Sequence, residues 1–313
     1  MAITRVTLTE MTDPANPDPA RSFGAVADSY DRGRPSYPAD AVKWLVGEEP
    51  CSVLELGAGT GKLTEVLVGL GHEVFATDPD DAMLDILSGK LPDVRATSGT
   101  AEQIPTGDSL YDVVIVGQAF HWFDHDKAIA EIGRVLRTGG RLAVIQNERD
   151  ERIPWVRKLG RLIGKQDSGY DPTSILDDSG LFSAVEARTF RHWQVVDRHS
   201  IQDLVISRSN IATLDPEAQE QKRREVLAFY DGYGRGMDGM QLPYNCRAWH
   251  AQVLPHAQVA STGSATGAHE ADETDDQQRA SVPLAKRTDT AVRLPRVVTD
   301  PENGDDDLLI DFR

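Results

Sequence analysis

The chain has 313 residues and a formal net charge of −17, from 33 basic and 50 acidic side chains. This balance argues against a nucleic-acid partner, because phosphate binding needs clustered Lys and Arg side chains. The two cysteines, Cys51 and Cys246, lack CxxC spacing, which excludes a disulfide framework and a cysteine zinc site. No signal-peptide core and no apolar run of about 18 residues occurs, so we expect a soluble, cytoplasmic protein with no membrane partner.

The spacing of apolar residues predicts alternating strands and helices through the first half of the chain. Strands are predicted over 52–56, 73–77, 94–97, 111–116 and 141–145, and helices over 38–46, 62–70, 80–87 and 126–135. Alternation with apolar strands implies an α/β fold, in which helices cover a mostly parallel sheet on both faces.

The remaining segments differ in composition from this alternating part. Residues 1–20 are polar and proline-rich, and we expect a flexible arm. Residues 254–313 hold 12 acidic and 6 basic residues and one aromatic, Phe312. Such a segment buries too little apolar surface to offset its ordering entropy, which predicts a disordered acidic tail.

One domain is therefore expected over residues 21–253. Its cofactor-binding core spans about 38–148, and a substrate-covering part spans about 149–253. The second part is predicted to contain strands over 185–190 and 193–196 and a helix over 216–230.

A glycine-rich turn follows the first predicted strand, with Gly57, Gly59 and Gly61 at alternate positions. Glycines at such a turn let a ligand approach the main-chain N–H groups closely. Asp78 ends the next predicted strand, where a carboxylate can accept hydrogen bonds from a ribose. The sequence thus predicts a cofactor that contains a nucleoside.

The turn also bears on which cofactor binds. Nicotinamide and flavin enzymes use G-x-G-x-x-G, whereas Gly57, Gly59 and Gly61 are one residue tighter. Glu55, two residues before the turn, would repel a pyrophosphate but would attract an ammonium or a sulfonium. S-adenosylmethionine carries both positive groups, so the electrostatics favour it over a dinucleotide.

Several ordered motifs resemble class I S-adenosylmethionine-dependent methyltransferases. VLELGAGTGKLTEVL is similar to their first motif, ATDPDDAML to their second, and IGRVLRTGGRLAVI to the segment entering strand five. FGAVADSYDRGRPSYP and FHWF resemble the small-molecule branch that includes trans-aconitate-type enzymes. The resemblance covers roughly residues 21–253 and implies a Rossmann-like, mostly parallel sheet of seven strands.

The resemblance implies a set of cofactor-binding positions: Glu55, Gly57, Gly59, Asp78, Pro79, Ala101, Glu102 and Gln118. The first three would line the methionine moiety, Asp78 would bind the ribose, and Gln118 would close the pocket over the sulfur. Pro79 would lie against the adenine. Ala101 and Glu102 would reach the amino edge of the adenine. Asp78 could instead cap a helix, and Glu102 could be a solvated acid.

Candidate catalytic residues are His121, just past the fourth predicted strand, and Tyr30 in the N-terminal segment. His121 could act as a base or could simply pack beside Trp122. His121 and His125 could together bind a metal ion, but no third ligand with suitable spacing accompanies them, so we expect no metal site.

Candidate substrate-binding residues are Arg34, Trp122, Arg208 and Arg247. An arginine can hold an acceptor carboxylate through two parallel hydrogen bonds. For Arg34, a structural salt bridge with Asp31 is an equal alternative.

The sequence as a whole predicts transfer of a methyl group to a small-molecule acceptor by direct displacement, with a carboxylate as the candidate nucleophile. Two alternatives stay open: a nicotinamide-dependent oxidoreductase, and a cofactor-binding protein that acts on a partner without turnover. The acceptor's identity and the oligomeric state are not predicted.

Overall fold

A computed structural model describes residues 27–255, except for 165, 167, 168 and 234–238. The predicted N-terminal arm and nearly all of the predicted acidic tail lie outside the described residues. Seven strands form one sheet in the order β3-β2-β1-β4-β5-β7-β6. Their bounds are β1 Ser52–Leu56, β2 Glu73–Asp78, β3 Arg95–Ser98, β4 Tyr111–Gly117, β5 Leu136–Arg149, β6 Glu186–Val196 and β7 Met240–Gln252.

The first five strands are parallel, and β7 runs antiparallel between β5 and β6. The central strands are buried on both faces, as in β4, where Val113, Val114, Ile115 and Val116 are at most 2 % exposed. Continuous apolar runs of this kind are typical of parallel strands under helices on both sides. The predicted fold class is confirmed.

Ten helices are found among the described residues: α1 Ala27–Gly33, α2 Ala39–Val46, α3 Lys62–Gly69, α4 Asp81–Lys90, α5 His125–Val135, α6 Pro154–Ile163, α7 Thr173–Ser179, α8 Ser200–Ile206, α9 Ser209–Ala212 and α10 Pro216–Gly232. α2 and α3 pack on one face of the sheet, while α5 and α7 pack on the other. A third core, formed with α6, α8 and α10, stands beside the ends of β6 and β7. None of the helices in the described part is long and apolar enough to cross a membrane.

The structure departs from the predicted elements mainly after β4. β5 is much longer than expected, and the two short strands predicted over 185–196 form the single strand β6. β7 was not predicted, because Pro243 and Asn245 interrupt its pattern and are unfavourable in strands. Pro243 is accommodated because it lies just beyond the last β5–β7 pair, Arg149 with Tyr244.

The short helix α1 is fixed against distant parts of the chain. Arg32 donates to both carboxylate oxygens of Asp203 on α8, at 2.9 and 3.1 Å. A Cβ atom at Gly33 would stand 2.4 Å from the backbone of Asp203, so only glycine allows this approach. Asp31 pairs with Lys90 at 2.8 Å on the opposite side. These contacts hold the N-terminal segment over the carboxyl ends of the parallel strands.

Candidate functional site

A cleft opens at the carboxyl ends of β1, β2, β4 and β5 and has two connected halves. The aspartate half is lined by residues that include Asp78, Pro79, Ala101 and Glu102. The arginine half is lined by residues that include Arg34, Arg149, Arg208 and Tyr244. Both halves share the wall formed by Tyr30, Gly57, Gly59, Gly117 and Gln118. Ligands of open α/β sheets bind at this edge.

The glycine turn forms the floor between the halves. Gly57, Gly59 and Gly61 have φ values of +70°, +55° and +84°, which L-residues with a side chain rarely adopt. A Cβ atom at Gly57 would stand only 2.5 Å from the Cβ of Ala119. The glycines thus produce both the turn and the open approach to its backbone.

Asp78, at the end of β2, is bound to this turn. One of its carboxylate oxygens accepts from the backbone N–H of Gly59 at 2.8 Å, and the other accepts from Asp80 at 2.9 Å. Burial raises the pKa of Asp78 to about 6, although both hydrogen bonds act in the opposite direction. Since each carboxylate oxygen has two lone pairs, Asp78 keeps acceptor capacity for a ligand.

Glu55 lies at the other side of the turn and is only 1 % exposed. Its Oε2 accepts a hydrogen bond from the Thr64 hydroxyl at 2.7 Å. The pKa of Glu55 is raised to about 8, mainly by burial and in part by the nearby Asp78 carboxylate. A cation in the cleft would favour ionisation of this carboxyl group.

Gln118 follows β4 and stands where the two halves meet. Its φ of +61° is rare for a residue other than glycine, and such conformations cluster at functional sites. The side-chain amide donates to the backbone carbonyl of Asn147 at 3.0 Å. Asn147 in turn donates to Ser36 at 3.1 Å and contacts His192 at 2.9 Å, which links β5 to the N-terminal segment and to β6.

Arginine side chains dominate the arginine half. Arg34 donates to the hydroxyl and the carbonyl of Ser207, at 3.0 and 2.7 Å, so the alternative salt bridge with Asp31 does not form. Arg149, at the end of β5, donates to Glu151 and Gly164.

The three arginines of this half repel one another. The pKa of Arg208 is lowered to about 9, mainly by burial and in part by the charges of Arg34 and Arg149. The pKa of Arg149 is also lowered by burial, and its buried Nε has no hydrogen-bond partner among the described residues. An anion bound here would relieve this repulsion.

The structure brings together most of the predicted site residues but not all. Trp122 lines the aspartate half, away from the arginines with which it was grouped as a substrate residue. His121 lines neither half, and its exposed ring lies 4.7 Å from Trp122 and 5.9 Å from Tyr170. Arg247 also lies outside the cleft, where it donates to the Tyr170 carbonyl and pairs with Glu148.

Some cleft residues were not selected from the sequence, above all Arg149. The available signal was a charged residue following an apolar strand, but the predicted strand ended at residue 145.

Within the described ranges, no group of three or more His, Cys, Asp or Glu side chains is placed to hold a metal ion.

Comparison with known proteins identifies the family. Residues 54–144 match a family model described as a methyltransferase domain. The chain is 41 % identical over 230 residues to a methyltransferase of Mycobacterium tuberculosis (strain ATCC 25618 / H37Rv), covering 72 % of this chain and 93 % of that protein. It is 33 % identical over 234 residues to a methyltransferase of Schizosaccharomyces pombe, with the same two coverages.

A solved structure from Anabaena variabilis, described as a methyltransferase from an antibiotic biosynthesis pathway, has the same fold. It aligns with a TM-score of 0.51 at 21 % identity and covers 68 % of this chain and 95 % of that one. The curated relatives are matched over almost their whole length, so this chain belongs to the class I S-adenosylmethionine-dependent methyltransferases, and S-adenosylmethionine is its cofactor.

Proposed function

We propose that this enzyme transfers a methyl group to a carboxylate oxygen of a small-molecule acceptor, which forms a methyl ester. The observation that carries the proposal is the meeting of Arg34, Arg149 and Arg208 in one half of the cleft, in a protein of net charge −17. Guanidinium groups pair with carboxylates through two parallel hydrogen bonds, so this half is suited to an anionic acceptor.

The cofactor is proposed to lie along the shared wall, with its adenosine in the aspartate half. Asp78 has lone pairs for the ribose hydroxyls, and Pro79, Ala101 and Glu102 surround the space for the adenine. The methionine end then crosses Gly57 and reaches Glu55, which has one carboxyl oxygen that Thr64 does not use. When bound, S-adenosylmethionine supplies a methyl group activated by the sulfonium.

This chain's residues would act mainly by orienting the reactants. In well-aligned model reactions, orientation lowers the activation barrier by roughly 7–11 kcal/mol. Tyr30 and Gln118 border both halves and thus the point where acceptor and donor meet. A carboxylate is already ionised at neutral pH, so its methylation requires no general base. The absence of His121 from the cleft lining is consistent with this chemistry. Family membership supports neither the oxidoreductase alternative nor a protein without turnover.

Incubation of the enzyme and labelled S-adenosylmethionine with a metabolite extract tests the proposal. Methyl esters are cleaved by mild alkali, so we expect the label to enter small molecules and to be released as volatile methanol at high pH. Mass spectrometry of the product before alkali treatment identifies the acceptor. Label that remains bound after alkali treatment, as in an N- or C-methylated product, would contradict carboxylate methylation.

Replacement of Arg149 with methionine should raise the acceptor KM about tenfold or more. Loss of one hydrogen bond to a charged group costs about 1.5–3 kcal/mol of binding free energy. Binding of 5′-methylthioadenosine, which has the adenosine but lacks the methionine end, should stay within about twofold, because Arg149 does not line the aspartate half. Arg152→Met is a matched control, since Arg152 is exposed and pairs with Asp150 outside the cleft. Weakened cofactor binding with an unchanged acceptor KM would instead assign Arg149 to the donor.

A further inference from the structure

The strand β6 forms one edge of the sheet, and its outer side is open. Its 11 residues pair with β7, and no other strand of the described part pairs with them. The outward N–H and C=O groups of such an edge can pair with another chain, so soluble proteins commonly protect long edges with charged side chains. Arg188 and Arg191 fit that protective role, but Trp193 and Val195 are 59 % and 60 % exposed and do not.

The side chains of β6 alternate between an exposed face and a face that turns towards the protein. Arg191, Trp193 and Val195 lie on the exposed face. The intervening His192 and Gln194 point the other way, where they contact side chains of β5 and β7. A ligand on the exposed face therefore does not enter the cleft, and substitutions there leave these inner contacts in place.

The exposed face of β6 continues into a group of arginines before and within α6. The pKa of Asp150 is lowered mainly by its hydrogen bond to Arg152 and in part by the charge of Arg191, so one carboxylate lies close to two cations. Arg157 donates to the backbone carbonyls of Arg152 and of the residue before it. Within the described ranges, Arg157, Arg188 and Arg191 form no ion pair with a carboxylate. In a chain of net charge −17, this local surplus of positive charge favours an acidic ligand.

A second copy of the chain fits this edge poorly. Antiparallel pairing of two β6 strands around a two-fold axis, with all 11 residues paired, places the two Arg191 side chains opposite each other. Like charges that are directly opposite destabilise a strand pair. An anionic lipid surface also fits poorly, because it offers no strand to the backbone groups of the edge and is repelled by the net charge of −17.

We propose that an acidic segment of another protein binds β6 as an additional antiparallel strand, with carboxylates beside Arg188 and Arg191 and apolar side chains against Trp193 and Val195. In strand addition, main-chain hydrogen bonds provide affinity and alternate side chains provide specificity. Trp and Arg are also the residue types that often contribute most to protein interfaces. The surface is separate from the cleft, so the proposal does not depend on the identity of the methyl acceptor.

A synthetic peptide tests the surface on the full chain. The probe is the capped octapeptide Val-Thr-Val-Thr-Glu-Thr-Thr-Glu, which in antiparallel register places valines opposite Val195 and Trp193 and glutamates opposite Arg191 and Arg188. The control peptide has lysine in place of both glutamates. We expect calorimetric titration to show about tenfold tighter binding of the glutamate peptide. The difference should shrink as the salt concentration rises from about 0.05 to about 0.5 M.

Hydrogen exchange locates the bound peptide. The backbone N–H groups on the outer edge of β6 should exchange more slowly when the glutamate peptide is bound. The strand β3 forms the opposite edge of the same sheet, so its exchange should not change and serves as the internal control.

Three variants assign the binding to individual side chains. Arg191→Glu should abolish the preference for the glutamate peptide, and Trp193→Ser should weaken the binding of both peptides. Lys127→Glu is the matched charge-reversal control, because Lys127 is exposed on α5 and pairs with Asp124, and it should change neither affinity. All three variants should bind S-adenosylmethionine as the parent protein does, which shows that they are folded.

Four results would overturn the proposal. The first two are equal affinity for both peptides and slowed exchange at strands other than β6. The third is a dimer in sedimentation experiments that Arg191→Glu or Trp193→Ser converts to a monomer, because a second copy would then occupy the edge. The fourth is binding to phosphatidylserine vesicles that the same two substitutions abolish, because the face would then belong to a membrane contact.

Discussion

Replacement of Asp78 with alanine should weaken the binding of S-adenosylmethionine about a hundredfold or more. The proposed ribose contact provides two hydrogen bonds to a charged acceptor, each worth about 1.5–3 kcal/mol. The substitution also removes the acceptor of the Gly59 N–H, which holds the glycine turn against β2. Calorimetric titration of the ligand-free enzyme measures the change directly.

Asp80→Ala is the matched control, because Asp80 is also a buried acid and lies two residues away. Its carboxylate accepts from the backbone N–H of Ala82 at 3.0 Å and thereby caps α4. Loss of such a cap costs about 1 kcal/mol of stability, with no expected change in cofactor affinity. If Asp80→Ala weakens binding as strongly as Asp78→Ala, disorder of the β2–α4 loop explains both results, and the ribose role is wrong.

Replacement of Glu55 with glutamine should stabilise the ligand-free protein, and the gain should grow with pH. The pKa of Glu55 is raised from 4.5 to about 8 in the folded protein. Between these values the unfolded chain has already released the proton that the folded protein retains, so the free energy of unfolding falls as pH rises. A shift of this size corresponds to a loss on the order of 4 kcal/mol by pH 8. Glutamine does not titrate, and its side-chain oxygen can still accept from Thr64.

Thermal melts at several pH values between 4.5 and 8.5 measure this effect. The variant and the parent protein should melt at similar temperatures near pH 4.5 and should separate progressively above it. Cofactor binding should weaken in the variant, because glutamine cannot ionise in response to the cationic methionine end. Glu65→Gln is the control, since Glu65 lies on the outer side of α3 and pairs with Lys90. Parallel melting curves for the Glu55→Gln variant and the parent would contradict a raised pKa.

The part of the fold that could be predicted is the part in which local sequence and tertiary environment agree. β1 to β4 are short apolar runs between well-marked helices, and burial on both faces leaves few alternatives. β7 carries Pro243, and its pairing with β5 and β6 depends on residues about 50 to 100 positions away. Its own composition therefore did not indicate a strand.

The candidate site also has a part that could be predicted from the sequence and a part that could not. The residues of the aspartate half follow strands that are adjacent in sequence, so glycine spacing and a following acid were sufficient signals. The arginine half required knowledge of strand length and side-chain direction. Arg149 and Tyr244 are paired across β5 and β7 and point into the cleft. Arg247 is three residues beyond Tyr244, so the alternation of a strand directs it to the opposite face.

The contacts between the α1 segment and the α8 segment join residues that are synthesised far apart in time. Arg32 and Arg34 bind Asp203 and Ser207, which emerge from the ribosome 171 and 173 residues later. The glycine turn and Asp78 are complete long before then. All residues that line the aspartate half lie between Tyr30 and Phe123, whereas the arginine half needs residues up to Tyr244, so its lining is the later of the two to be synthesised.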